Sequence, residues 1–332
     1  MNARIYSLPH RIWRIIYPLL IFLGIQLAVS MAFGFATTFA LVFQAMLSHT
    51  AALDDAQIRD VLLRMLGQNV MTTVLVSNAL SLAVFIPMWM RTRKTLESCA
   101  NNKPWLSALL TIGFFAGFNI VQMFIFSVTD VMKYFPSYDG VNEYLSGGSL
   151  LLQGLAVGVS APVVEELVFR GIMMGRMKWL PLWASILIQG ALFGVAHMNL
   201  FQGLYAFLAG VLLALLYAKY RSIILAILGH MAYNFISIVL GEFVTEDTTA
   251  VLVGILAAGA AAAIVCAVFL IKRKGAELST APEYLPTPEY LPAPEYYPAP
   301  TPGFAAAPES VARPTAEPVS ETASLLNHPG DF

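Results

Sequence analysis

Val163-Val164-Glu165-Glu166-Leu167-Val168-Phe169-Arg170 puts three ionisable side chains within six residues of an otherwise apolar run. The run reads as membrane-buried. An ionisable group at the centre of a bilayer helix costs about 2.5–3.5 kcal/mol on insertion scales. Left unpaired, three of them would cost on the order of 7–10 kcal/mol, a burden that a simple anchor has no reason to carry. Two further pairs follow in apolar runs, Phe193-x-x-x-His197 and His230-x-x-x-Asn234. Carboxylates, imidazoles and an amide inside a membrane are the parts of a hydrolytic site.

The rest of the chain supports the membrane reading. Of 332 residues, 58% are hydrophobic and only 12% charged, with a mean hydropathy of +0.70. Soluble domains carry about 25% charged residues. The composition therefore predicts an all-α, polytopic membrane helical bundle. A net charge of −1 offers no basic surface for nucleic acid. Cys99 sits in a basic loop and Cys266 in an apolar run, so neither a disulfide nor a thiol nucleophile is expected.

A spanning helix takes about 20 apolar residues. Eight stretches meet or approach that length: 15–43, 69–90, 105–129, 149–175, 182–198, 203–218, 222–241 and 250–271. The first is far longer than the h-region of a signal peptide, about 7–15 residues, and reads as a retained helix. Basic residues concentrate in alternate connections, as in Arg91-x-Arg93-Lys94, Arg176-x-Lys178, Lys219-x-Arg221 and Lys272-Arg273-Lys274. The opposite connections hold only Arg59, Arg64 and Lys133, with several Asp and Glu. The positive-inside rule then places both termini in the cytoplasm, the plasma membrane being the expected site.

Two segments result: a membrane helical domain over 1–274, with its chemical core at about 105–241, and a Pro-rich tail over 275–332. The tail has too few apolar residues to build a core. It repeats Pro282-Glu283-Tyr284-Leu285-Pro286, Pro288-Glu289-Tyr290-Leu291-Pro292 and Pro294-Glu295-Tyr296-Tyr297-Pro298. Dense proline favours polyproline II. The repeats suit either a docking peptide for an aromatic groove on a partner or a solvated spacer, the second being favoured.

On a helix over 149–175, Glu166 and Arg170 stand at i, i+4 with the acid first, the better orientation for an ion pair. Such a pair can be catalytic furniture or structural glue. Glu165 is rotated about 100° from Glu166 and has no partner on its own helix. It is the candidate general base. Pro162 removes one backbone hydrogen bond and is expected to kink the helix beside the acids. A lone His197 at a helix end is usually a satisfied interfacial residue, and a lone His-x-x-x-Asn pair is weak evidence. Yet His197 and His230 are the only two histidines within the expected spans.

Taken together, Glu165-Glu166-x-x-x-Arg170, Phe193-x-x-x-His197 and His230-x-x-x-Asn234 resemble, in order, the three motifs of the CPBP intramembrane proteases. That family includes the type II CAAX prenyl endopeptidases and relatives linked to bacteriocin processing or self-immunity. The resemblance implies a peptidase whose site lies in a membrane cavity and whose substrate is a membrane-associated or lipidated protein or peptide. It implies that Glu165 activates water, that His197 helps to bind that water, and that His230 and Asn234 stabilise the oxyanion. Glu166 and Arg170 would hold the helix and its electrostatics.

Two points stay open at this stage. Counting from the basic ends, Glu165 lies about 20 Å deep, His197 about 26 Å and His230 about 14 Å, whereas one site needs them level. The family is also classed with metallopeptidases. Glu165, His197 and His230 could supply three ligands to a divalent ion such as zinc, with a fourth position for water. A metal-free, glutamate-activated water is slightly preferred, because each helix offers one histidine and not the paired spacing of His-Glu-x-x-His. The competing functions are a non-catalytic immunity or binding protein of the same fold and, less favoured, a proton-coupled transporter.

Overall fold

The computed structural model describes residues 7–48, 55–93, 104–138, 140, 148–243 and 249–274. All regular structure among them is helical. Eight long helices follow in order: α1 Leu8–Ser48, α2 Asp55–Arg93, α3 Pro104–Thr129, α4 Leu150–Met174, α5 Leu182–Ala196, α6 Leu200–Tyr220, α7 Ile223–Phe243 and α8 Thr249–Lys272. The expected repeats of the tail, from residue 275, lie outside the described residues.

Seven of the eight are long and apolar enough to cross a bilayer. The exception is α5. Its 15 residues rise only about 22 Å, against a hydrocarbon core of about 30 Å. The span expected over 182–198 is therefore too short to cross alone. In the other direction, α1 and α2 outrun the expected 15–43 and 69–90, and Arg59 and Arg64 belong to the first turns of α2 instead of a loop.

Burial is inverted relative to a soluble protein. Leu27, Phe35 and Phe39 are 62%, 70% and 72% exposed, while Glu166, Arg170 and Gln189 are fully buried. Apolar side chains turned outward and polar ones turned inward suit a hydrocarbon solvent, in which interior polar groups join helices. The protein is an integral membrane protein on this ground.

The layout puts α4 in the middle. It touches α1, α2, α5 and α7, while α3 packs on α7 and α8, α5 on α6, and α1 on α2. Around α4, a core forms from Ile15, Leu19 and Phe22 of α1, Phe85 of α2, Val168, Phe169 and Ile172 of α4 itself, and Phe193 of α5. Polar ladders cross the same interfaces. Gln26 donates to Asn78 at 3.1 Å, Asn78 donates to Ser160 at 2.9 Å, and Gln122 donates to Tyr233 at 2.6 Å.

Small residues set the closest approaches. A Cβ on Gly194 of α5 would lie 2.5 Å from the Gly203 carbonyl of α6, so these backbones touch. Gly158 of α4 similarly admits the Phe235 ring of α7. Gly194→Ala is therefore expected to destabilise the bundle by about 1–3 kcal/mol through overpacking. Gly24→Ala, where the added Cβ meets nothing within 4 Å, is expected to be neutral or to stabilise α1 by up to about 1 kcal/mol. Thermal unfolding of the two purified variants in detergent checks the opposite signs.

Candidate active site

The backbone of α4 is irregular on both sides of the acids. Residues Gly154–Ser160 and Leu167–Met174 wind as π-helix, and only Ala161–Glu166 between them is α-helical. The disturbance expected from Pro162 takes this form, with the proline in the first turn of the short α segment. π-Turns inside a helix gather at functional sites because they shift side chains off the regular spiral.

Glu166 is fully buried, and its Oε1 accepts from Arg170 Nη1 at 2.8 Å. The expected i, i+4 pair is present. Arg170 reaches further than the spacing shows: its Nη2 donates to the Gly210 carbonyl of α6 at 2.9 Å, and its guanidinium lies 4.8 Å from the Phe193 ring centre. Gly210 is required there, because a Cβ would meet Phe193 at 3.0 Å and Arg170 Nη2 at 3.5 Å. The pair thus joins α4, α5 and α6.

His230 of α7 completes the cluster. Its Nδ1 lies 2.8 Å from the same Glu166 Oε1, and its Nε2 lies 3.7 Å from Glu165 Oε2. A carboxylate oxygen accepts, so Nδ1 carries the proton on the Glu166 side. The separation on the Glu165 side exceeds direct hydrogen-bond length. Glu165 is the more open of the two acids, with 17% of its side chain exposed against none for Glu166. The two glutamates differ as expected in their partners, yet one imidazole faces both.

Asn234, one turn beyond His230, donates through Nδ2 to the Val157 carbonyl of α4 at 2.8 Å. It ties α7 to the first π-helical stretch and keeps a second N–H on the same nitrogen. His197 is the C-cap of α5, with Nδ1 2.8 Å from the Phe193 carbonyl. Phe193 stands between the two histidines, its ring centre 4.9 Å from that of His197 and 5.7 Å from that of His230. Among the described residues, no hydrogen bond or ion pair joins His197 to Glu165, Glu166 or His230. Phe193 packs against Arg170 and His230, and His197 sits one turn further along α5.

Glu165, His197 and His230 do not form a ligand set as placed. Among the described residues no group of three His, Cys, Asp or Glu side chains is arranged to hold a metal ion.

Three contributors were not visible in the sequence. The carbonyls of Gly210 and Val157 are backbone groups and leave no residue signature. Gln189 is the third. It is fully buried one turn before Phe193, beside Gly190, whose backbone meets Gly210. Neither of its amide atoms, nor Arg170 Nε, nor Glu166 Oε2, has a hydrogen-bond partner within the protein. Buried groups of this kind commonly share ordered water. The turn after His197 is also fixed: Met198 has φ 55°, Asn199 accepts from Gln202 N at 3.1 Å, and Asn199 donates to Ser137. Its one sequence signal is the Asn at an N-cap position.

Breaking a buried pair typically costs about 3–5 kcal/mol, and Arg170→Ala is expected to fall in that range because it strands Glu166 and the Gly210 carbonyl together. Glu166→Gln combined with Arg170→Leu should recover only part of the loss, since His230 and Gly210 still lose partners. Complete recovery, read by thermal unfolding, would show that the pair stands alone energetically.

No match is found among curated proteins, and none among solved structures. Residues 147–236, a stretch that contains all the clustered side chains, match the family model described as Type II CAAX prenyl endopeptidase Rce1-like, a protease family.

Proposed function

We propose that the chain is an intramembrane endopeptidase in which Glu165 activates water against a peptide carbonyl. The observation that carries this reading is the single imidazole, His230, set between a carboxylate that already pairs with Arg170 and a more open one. Glu166 is occupied by Arg170 and His230. Glu165 is then the base that remains.

With Nδ1–H given to Glu166, neutral His230 presents an acceptor at Nε2. Glu165 Oε2 is a second acceptor 3.7 Å away. A water placed off the line between them reaches both and donates one hydrogen to each. As its oxygen attacks, Glu165 takes a proton, and it returns that proton to the leaving amine. The second N–H of Asn234, held by the Val157 bond, faces the developing oxyanion at no cost of reorganisation. His197, anchored through Nδ1, orients water or the peptide from beyond Phe193. Arg170 and Glu166 keep the frame.

The substrate is a membrane-associated or lipidated peptide, a prenylated C-terminus being the form that the family description suggests. The basic helix ends support a topology with both termini in the cytoplasm. No tightly held metal is invoked. The Pro-Glu-Tyr repeats serve as a solvated spacer or as a docking segment for a partner.

Purified protein in liposomes, offered a farnesylated C-terminal peptide and an unprenylated control, tests the reading by mass spectrometry of the products. Glu165→Gln is expected to lower cleavage by about 10²–10⁴-fold with the melting temperature unchanged or raised. Undiminished cleavage in that variant refutes Glu165 as the base.

A second measurement addresses the metal. Activity is expected to survive exhaustive chelation. About one zinc per chain, with activity lost on removal and restored by zinc, would instead make the histidines ligands.

A further inference from the structure

Away from the acids, the same core helix ends in a second polar cluster. Arg176, just past α4, donates through Nη1 to the Arg14 carbonyl of α1 at 2.6 Å. Its guanidinium lies 4.7 Å from the Tyr17 ring centre. Arg11, one turn earlier on α1, lies over the Trp179 ring at 5.5 Å. Two guanidinium groups, each against an aromatic ring, therefore lie where α1 begins and α4 ends.

Among the described residues no carboxylate pairs with Arg176 there. Among the described residues the carboxylates are Asp55, Asp60, Asp130, Glu165, Glu166 and Glu242. Glu165 and Glu166 belong to the site above, and the other four lie at helix ends on the opposite side of the bundle. The Nε of Arg176 is buried with no partner in the protein. Burial pushes the Arg176 guanidinium below its usual range, Tyr17 opposes that shift, and Arg14 adds to it. A half-buried cation whose nearest charged neighbour is another cation is suited to an external anion.

Beside it runs an apolar groove. Trp13, Tyr17, Leu20 and Ile21 line it along α1. Tyr17 is common to both features, so the groove starts where the charge sits. Trp13, Leu20 and Ile21 are 56%, 50% and 36% exposed. Paired Trp and Tyr mark the headgroup level of a bilayer, and basic pockets between helices there take anionic headgroups. An anion joined to a hydrocarbon chain satisfies both halves at once.

We propose that this α1–α4 corner binds one anionic phospholipid, its phosphate at Arg176 and an acyl chain along the Trp13–Ile21 groove. The site is separate from the proposed hydrolysis, and its test does not depend on cleavage.

Native mass spectrometry of the full chain in detergent, with phosphatidylglycerol or phosphatidylcholine of matched chains, reads the binding directly. Phosphatidylglycerol adducts are expected to persist about fivefold more than phosphatidylcholine adducts. Arg176→Gln should abolish that preference, and Lys272→Gln, at the same end on α8, should keep it. Because Arg176 also braces α1, Leu20→Trp provides a second arm. It fills the groove at an exposed position with the charges intact, and should lose the adduct with unfolding temperature preserved. Glycerol phosphate, the headgroup without chains, should not compete. Equal retention of the two lipids, equal losses in Arg176→Gln and Lys272→Gln, undiminished adducts in Leu20→Trp, or displacement by glycerol phosphate would each overturn the proposal.

Discussion

A carboxylate and a guanidinium with no exposed surface at all are the constraint around which this bundle is arranged. Charges in an apolar interior need a partner and hydrogen bonds. Glu166 meets that demand by taking Arg170 and His230 on one oxygen. Arg170 meets it by adding the Gly210 carbonyl and the face of Phe193. Each partner comes from a different helix, so satisfying one ion pair fixes α4, α5, α6 and α7 relative to one another. The glycines at 190, 194, 203 and 210 follow from the same demand, since the carbonyl of Gly210 is within reach only if the backbones approach closely.

That arrangement separates two chemically identical residues. Glu165 and Glu166 are neighbours in the chain, yet one is consumed by structure and the other is left beside an imidazole nitrogen. The division arises from geometry: successive residues of the short α segment Ala161–Glu166 point about 100° apart, which turns Glu166 to Arg170 and leaves Glu165 more open. In the proposed hydrolysis, a preorganised base next to a fixed imidazole costs little reorganisation. The stability of the frame and the openness of Glu165 are thus set by the same cluster.

Much of this was legible in the sequence, and the reasons are physical. The Glu166–Arg170 pair was readable because i, i+4 neighbours meet on any α-helix. The all-α membrane class was readable because hydrophobic length is set by bilayer thickness. The contact of His230 with both acids was not, since it joins positions 64 and 65 residues apart. The π-helical stretches were hidden because a helix buried on nearly every side shows no amphipathic period to distort. Gln189 was passed over because a single amide in an apolar run carries no spacing signal. The length of α5 was overestimated because hydropathy continues through the turn at Met198 and into Leu200 and Phe201.

The brevity of α5 bears on the supply of solvent. Hydrolysis consumes a water molecule for each bond, and a bilayer interior holds almost none. A helix about 8 Å shorter than the hydrocarbon thickness ends in a turn that carries His197 and the largely exposed Met198. A short element of this kind thins the surrounding lipid or draws polar headgroups inward. For the proposed hydrolysis, such thinning would lower the barrier to delivering a reactant that never has to be bound tightly.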